Sequence, residues 1–313
     1  VVLGGAGFIG RWVIHTLAGR GAHVTAVTRS PAAAWVSSAL HDPSGVTEWD
    51  LAEGGVEELL HVTRPDIVFN LCGYGVDPSE RDADLSARLN AGVVVDLCRA
   101  LRDRPAPAWG GIRLVHVGSA LEYGEAVGDL DEETDPVPTT VYGSTKLDGT
   151  RAVEEAASEG FAATTARLFT VFGPGEHSTR LLPTLLSAAG TDEAIPLTSG
   201  TQLRDFTFVG DVAEGLLRLG AVPGLEHPTV NLATGVLTEV RDFVALCART
   251  AGIAPERLRF GALPTRKEEM AHEPVSVRRL RRYLDWVPPT TVREGLLETV
   301  SQVLGRSAAR PRP

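Results

Sequence analysis

Val1-Val2-Leu3-Gly4-Gly5-Ala6-Gly7-Phe8-Ile9-Gly10 opens the chain and decides its fold. Three apolar, β-prone residues run straight into glycines at 4, 7 and 10. Beyond them Phe8, Ile9, Trp12, Val13 and Leu17 recur at helical spacing. The pattern is strand, glycine turn, amphipathic helix. In that order the first glycine permits a tight turn, the second lets a phosphate approach the backbone, and the third lets helix and strand pack closely. The helix start offers amide donors and a positive dipole end to an anion. Gly4, Gly7, Phe8, Ile9 and Gly10 are therefore candidate dinucleotide-binding residues. A glycine triplet alone is a common structural turn, and it is the flanking strand and helix that point to a dinucleotide. No methionine precedes Val1, so the opening residues of this strand are expected to lie upstream of it.

The same alternation continues. Residues 23–28 are short and β-branched, a second strand. Further strands are expected near 46–49, 66–71, 112–118 and 162–169, separated by helices near 54–62, 84–103 and 141–159. This is the pattern of an α/β fold, a doubly wound parallel (Rossmann) sheet covered on both faces. Past residue 170 the elements shorten, punctuated by Pro174, Pro183, Pro196, Pro288 and Pro289. We expect residues 1–169 to form the dinucleotide-binding domain, with 204–235 returning to it. Residues 170–203 and 236–305 are expected to form a smaller C-terminal substrate-binding lobe. The polar, proline-rich stretch 306–313 is expected to be disordered. No internal repeat or heptad pattern is present.

The chain has 313 residues, 43% hydrophobic and 22% charged, which suits a folded globular protein with a sizeable core. Forty acidic against thirty basic residues leave a net charge of −10, which argues against nucleic-acid binding. No apolar run approaches the roughly 20 residues of a membrane span, and no charged-then-apolar leader opens the chain. Cys72, Cys98 and Cys247 are far apart and not grouped with histidines, so neither a disulfide framework nor a metal site is expected. A soluble, cytoplasmic enzyme is the class these features leave.

Tyr142 and Lys146 stand four apart at the start of a helix and project from one face. With four tyrosines and two lysines in the chain, this spacing would arise by chance only about 0.03 times. Upstream, a strand ending at Gly118 delivers Ser119 to its C-terminal end, where a doubly wound sheet places its ligands. The three make chemical sense together. A phenol titrates near pH 10 and needs its anion stabilised to work near neutrality, which an adjacent ammonium and an oxidised nicotinamide both do. Ser119 would orient the substrate oxygen, and Lys146 would also hold the nicotinamide ribose. The structural alternatives are a packed helix tyrosine and an ordinary strand-end turn.

Coenzyme choice depends on the end of the second strand. An acid there would bond the ribose hydroxyls of NAD, whereas this chain has Thr28-Arg29-Ser30. A guanidinium and hydroxyls suit a 2′-phosphate, so Arg29 and Ser30 point to NADP. The alternative for Arg29 is a solvated surface arginine. Asp50, after the third strand, is placed either to meet the adenine amino group or to cap the next helix.

Together these residues resemble the extended short-chain dehydrogenase/reductase family acting on nucleotide sugars, the NAD-dependent epimerase/dehydratase type. The resemblance covers most of the chain. It includes the glycine loop, Asn70-Leu71-Cys72-Gly73, Gly118-Ser119 with Tyr123-Gly124, and Tyr142-Gly143-Ser144-Thr145-Lys146. It extends through Arg167, Phe172-Gly173-Pro174-Gly175, Arg204-Asp205-Phe206, Asn231 with Gly235, and Trp286-Val287-Pro288. The resemblance implies a nicotinamide-binding domain, a lobe for a nucleotide diphosphate, and a homodimer through the helices near 84–103 and 141–159. It adds Leu51, Leu71, Cys72, Gly73 and Asn90 to the coenzyme site. It places Arg204 on the diphosphate and Arg266 where the family often has a second phosphate-binding arginine. Arg180 is a positional candidate whose alternative is a rim salt bridge. Thr170 stands where the family often has an asparagine near the substrate phosphate. Tyr74, Ala120, Leu121 and His177 are candidates for the sugar pocket, with simple packing as the alternative.

Departures from the family pattern narrow the reaction. Its 4,6-dehydratases follow the catalytic hydroxyl with adjacent Asp and Glu, which eliminate water across C5–C6. Here Ala120 and Leu121 occupy those places and Glu122 comes one position late. The GDP-fucose synthase type carries a cysteine two residues after the serine and a histidine right after its Gly-Pro. Here the first is Leu121, and His177 lies three residues past Pro174. A C4 epimerase with tightly bound NAD and a C4 ketoreductase consuming NADPH remain, and Thr28-Arg29 tilts towards the reductase. The overall pattern resembles actinobacterial dTDP-4-keto-6-deoxyhexose reductases, which finish deoxysugars for natural products. A non-catalytic NADP-binding sensor or scaffold is the reading from another class, but such proteins usually lose the Tyr–Lys pair kept here. A flavonoid-reductase type is opposed by Arg204-Asp205-Phe206 and Trp286-Val287-Pro288.

Overall fold

The computed structural model describes residues 1–29, 45–76, 79–105, 110–126, 128–264 and 274–305. Ser30, Arg266 and the stretch 306–313 lie outside the described residues.

β1 (Val2–Leu3), β2 (Ala26–Thr28), β3 (Val46–Glu48), β4 (Val68–Asn70), β5 (Leu114–Ser119) and β6 (Ala163–Leu168) alternate with helices. These are α1 (Phe8–Gly19), α2 (Val56–Thr63), α3 (Ala83–Ala87), α4 (Val93–Arg102) and α5 (Val141–Ser158). With β10 (Thr229–Leu232) the strands form a seven-stranded sheet in the order β10-β6-β5-β4-β1-β2-β3, and every pairing is parallel. This is the expected α/β doubly wound sheet. Its strands are buried on both faces, as continuous runs such as Leu114-Val115-His116-Val117 require. One apolar layer gathers around Val13, Ile14, Val115, Val212 and Leu216. The other gathers around Leu3, Leu59, Val94, Leu97 and Val153.

The helix expected over 84–103 is three pieces, because a turn of π-helix at Arg88–Gly92 joins α3 to α4. The turn carries Asn90, whose side chain is buried among polar partners.

Beyond β6 come β7 (Thr170–Phe172), α6 (Leu181–Ala188), β8 (Ile195–Pro196), β9 (Leu203–Phe208) and α7 (Val209–Ala221). After β10 follow β11 (Leu237–Glu239), α8 (Val240–Ala251), β12 (Leu258–Arg259), α9 (Arg278–Leu284) and α10 (Val292–Leu304). β9 pairs with β7 and β11 in a separate three-stranded sheet, α7 packs on α1, β5 and β6, and β10 joins the edge of the large sheet. Phe206 and Phe243 stack with ring centroids 4.1 Å apart, and Phe172 meets both edge-on, which locks the small sheet against α8.

Candidate active site

The glycine loop has the geometry that its spacing implies. Gly4 is left-handed (φ 72°), and a Cβ there would stand 3.0 Å from the Leu71 carbonyl. A Cβ on Gly10 would collide with the Gly4 carbonyl, so only glycine lets α1 lie this close to β1. Gly7 is the N-cap of α1 and contributes no side chain, leaving the first turn of Phe8 and Ile9 open to an anion. These are the features of a cradle for a dinucleotide diphosphate, and the loop residues fit a dinucleotide coenzyme.

Leu71, Cys72 and Gly73 continue from the C-terminal end of β4 beside the loop. Cys72 is held between the charges of Lys146, Arg29 and Asp50, and burial pushes its thiol up to about 12. Arg29 is exposed at the end of β2. Asp50 Oδ1 accepts the Ala52 amide at 2.9 Å, closing a local turn. It does not cap the next helix, because α2 has Gly55 as its N-cap. Leu51 is buried in the layer with Leu3 and Val27, so its side chain serves packing.

The catalytic candidates converge. Ser119 ends β5, and Tyr142 and Lys146 rise from the first turns of α5, which Thr140 caps by accepting the Gly143 amide at 3.0 Å. Gly143 lets the helix approach, since a Cβ there would strike the Leu121 carbonyl. Lys146 Nζ donates to the Cys72 carbonyl at 3.2 Å and the Val117 carbonyl at 3.1 Å, bridging the ends of β4 and β5. A Cβ on exposed Gly73 would sit 3.2 Å from Nζ, so this glycine keeps the side of the ammonium clear. Burial brings Lys146 down to about 8, with the Glu122 charge opposing. Burial also pushes the Tyr142 phenol above its ordinary value and the Glu122 charge adds to this, while the nearby Ser119 hydroxyl and Arg180 charge favour its anion. Lys146 Nζ stands 6.0 Å from the ring centroid. Tyr142 is held as a phenol, the form that donates a proton.

Glu122, which arrives one position late in sequence, turns beneath the site. Its Oε1 accepts the Ser119 amide at 2.7 Å, and its Oε2 accepts from Thr150 at 2.9 Å and Arg167 at 2.8 Å. The Glu122–Arg167 pair is buried, and Arg167 also lies 4.7 Å over the Tyr123 ring. With those donors engaged, Glu122 shapes the Ser119 turn from below.

Asn90 is wired to the loop carrying Tyr74. Its Oδ1 accepts the Tyr74 amide at 3.0 Å, and its Nδ2 donates to the Tyr74 carbonyl at 2.8 Å and Thr145 Oγ1 at 2.9 Å. Asn90 therefore fixes the backbone of the loop that carries Tyr74. Thr145, missed in the sequence, locks this wiring to the catalytic helix, and its place between Tyr142 and Lys146 is the signal that could have found it. Gly75 (φ 102°) then lies against the Tyr142 ring, 3.3 Å from Cδ2 to where a Cβ would be.

The substrate candidates separate. Ala120 is buried, and Leu121 packs beside Tyr123 and Leu130. Thr170 opens β7, half-buried. His177 is exposed, with Nδ1 2.9 Å from the Thr179 hydroxyl. Arg180 precedes α6 with Nε 3.4 Å from Glu176 Oε1, so the ion pair is formed, and its charge still reaches Tyr142. Arg204 lies on β9 opposite Thr238, half-buried. Glu176, also missed, is buried with Oε2 unpartnered, and burial pushes its carboxyl up to about 7. Among the described residues no acid, histidine and cysteine group could hold a metal, and no helix is long and apolar enough to cross a membrane.

A family model described as the NAD dependent epimerase/dehydratase family matches residues 1–233. The chain belongs to that family. It is 32% identical, over 95% of its length and 93% of the relative's, to a dTDP-6-deoxy-L-talose 4-dehydrogenase (NAD(P)(+)) of Kitasatospora kifunensis. It is 29% identical, over 72% of its length and 68% of the relative's, to a probable dTDP-4,6-dihydroxy-2-methyloxan-3-one 4-ketoreductase of Streptomyces antibioticus. Among solved structures, MoeE5 in complex with UDP-glucose and NAD is similar at a TM-score of 0.81 and 29% identity, over 97% of this chain and 98% of that one. The chain is accordingly an enzyme of a family whose members act on nucleotide sugars with a nicotinamide coenzyme.

Proposed function

We propose that this family member reduces the C4 ketone of a dTDP-4-keto-6-deoxyhexose with NADPH. The observation that carries the proposal is the divided site. Ser119, Tyr142 and Lys146 meet at the strand ends, while Glu122, the acid that closes the serine turn, is engaged with Arg167 below. The site has groups for moving one proton to and from one oxygen, and Ala120 and Leu121 stand where the family's dehydratases carry the acids that eliminate water.

Bound NADPH supplies the hydride. Ser119 bonds and orients the ketone oxygen, and Tyr142 gives its phenolic proton to that oxygen as the alcohol forms. Lys146, fixed by two carbonyls, places its charge beside the resulting phenolate and holds the ribose hydroxyls. A phenol held in its protonated form suits reduction, which begins with a proton donor. Arg29 and Ser30 are assigned to the 2′-phosphate, and Arg204 and Arg266 to the substrate diphosphate. Deoxysugar assembly for a natural product, in the cytoplasm and as a homodimer through α4 and α5, belongs to the same proposal. A C4 epimerase is the second reading, supported by the NAD bound in the solved relative.

The test is the loss of reduced-nicotinamide absorbance when the purified protein meets dTDP-4-keto-6-deoxyglucose, with NADPH and NADH tried separately. Stoichiometric consumption of NADPH, with NADH much slower, is expected. No consumption, with NAD copurifying, would transfer the assignment to the epimerase.

A further inference from the structure

Arg11 stands where a helix least favours a cation. It lies in the first turn of α1, four residues past the N-cap Gly7, at the positive end of the helix dipole. No acidic side chain belongs to that turn. The guanidinium is half-buried and spans two loops: Nε donates towards the Gly7 carbonyl at 3.4 Å and Nη2 to the Gly175 carbonyl at 3.1 Å. Gly175 makes room for it, being left-handed (φ 90°), with the site of a Cβ 2.6 Å from Arg11 Nη1. Next to it, Trp12 Nε1 donates to the Pro174 carbonyl at 3.1 Å. Two donors from the dinucleotide helix thus hold consecutive carbonyls of the turn after β7. That turn leads to Glu176 and Arg180, and the Arg180 charge reaches Tyr142.

A diphosphate on the glycine loop brings negative charge to the Gly7 turn, within reach of this guanidinium, and a planar fork of donors suits phosphate oxygens. We propose that Arg11 is a clamp that binds the coenzyme diphosphate while holding residues 174–180, so that coenzyme binding strengthens binding of the sugar nucleotide. This rests on the dinucleotide part of the reading above and is indifferent to whether the reaction is reduction or epimerisation. The coupling is reciprocal: whatever factor the coenzyme adds to sugar-nucleotide affinity, the sugar nucleotide adds to coenzyme affinity.

The experiment is calorimetric titration of the full chain with NADPH, NADH and dTDP, the last with and without saturating coenzyme. In the wild type, coenzyme should raise dTDP affinity about fivefold or more. Arg11→Gln should weaken coenzyme binding about tenfold, leave dTDP binding alone unchanged, and abolish the enhancement. Trp12→Phe removes the neighbouring pin but keeps the cation, so coenzyme affinity should stay within about twofold. An effect of Trp12→Phe on coenzyme as large as that of Arg11→Gln would mean loop scaffolding alone and overturn the clamp. So would unchanged coenzyme binding in Arg11→Gln, or an enhancement that survives it. If thermal melting shows Arg11→Gln unfolded, Arg11→Lys takes its place. Lysine keeps the charge without the fork, and an undiminished enhancement there would overturn the proposal equally. A wild type that binds neither NADPH nor NADH would overturn the dinucleotide reading itself, before Arg11 enters.

Discussion

Lys146, on helix α5, and Arg167, on the strand β6 packed against it, are buried cations, and the protein keeps them in opposite ways. Arg167, on β6, faces a carboxylate. Burial alone would lower its pKa, yet Glu122 and Tyr123 raise it above its ordinary value. Lys146 faces two carbonyl oxygens instead, and burial brings it down to about 8. A charge neutralised in place supports structure, because removing its partner strands an ion in a low dielectric. A charge hydrogen-bonded to carbonyl dipoles rather than to a carboxylate stays available to an anion that comes and goes, such as a phenolate. The Ser119 turn divides the two regimes, with its hydroxyl on the Tyr142 side and its amide bonded to Glu122 below.

The largest expected effect lies on the working side. Tyr142→Phe should lower turnover about a thousandfold while coenzyme affinity stays within about twofold, as read by steady-state kinetics and calorimetry. Near-normal turnover would remove the assignment of the proton donor.

On the structural side, Glu122→Ala strands Arg167 and should cost about 3–5 kcal/mol in denaturant unfolding. Lys146→Met should sit within about 1 kcal/mol of the parent near pH 7 and still lose turnover. Equal destabilisation of the two variants would erase the contrast.

Titration sharpens it. The folded pKa of Lys146 lies below the unfolded value of 10.5, so between about 8 and 10.5 the unfolded chain binds more protons. Stability should therefore rise with pH across that window in the wild type and lose this rise in Lys146→Met, measured by denaturation at a series of pH values. Glu176 runs the other way: its folded pKa is raised from 4.5 to about 7, so its contribution turns unfavourable as pH climbs through that range. Glu176→Gln should gain about 3 kcal/mol at pH 8 relative to its difference from the parent at pH 4. A pH-independent difference would show that burial does not govern this carboxyl.

The smallest effect concerns Arg29, which is exposed and therefore screened. Arg29→Ala should reduce the preference for NADPH over NADH by roughly tenfold in kcat/KM, about 1.4 kcal/mol, with NADH kinetics unchanged. An unaltered ratio would leave the 2′-phosphate to other residues.

Much of this was legible in the residues. The alternation of apolar runs with helical periodicity specified the parallel sheet, since period and burial are local properties of sequence. The glycine loop was legible because only glycine tolerates the left-handed Gly4 and the close approach at Gly10. Tyr142 and Lys146 were legible because a helix repeat places them on one face. The fate of Glu122 was not: its place one position late after Ser119 said only that it is not the dehydratase acid, and the register of β5 with β6, which sets Gly118 opposite Arg167, made it a buried partner. Of the two roles open to Asp50, the helix cap is not formed, because Gly55 takes the helix start and the carboxylate closes a nearer turn.

Glu176 and Arg11 show the remaining limit. Each is an ordinary charged residue in sequence, and each acquires its character from a segment more than a hundred residues away or from the burial around it. Propensity, periodicity and short motifs act through near neighbours along the chain, so the sequence by itself determined the elements, the glycine cradle and the Tyr–Lys face. Desolvation and charge pairing act through space, so only the tertiary structure decided which acids and cations are spent on stability and which stay ready for chemistry.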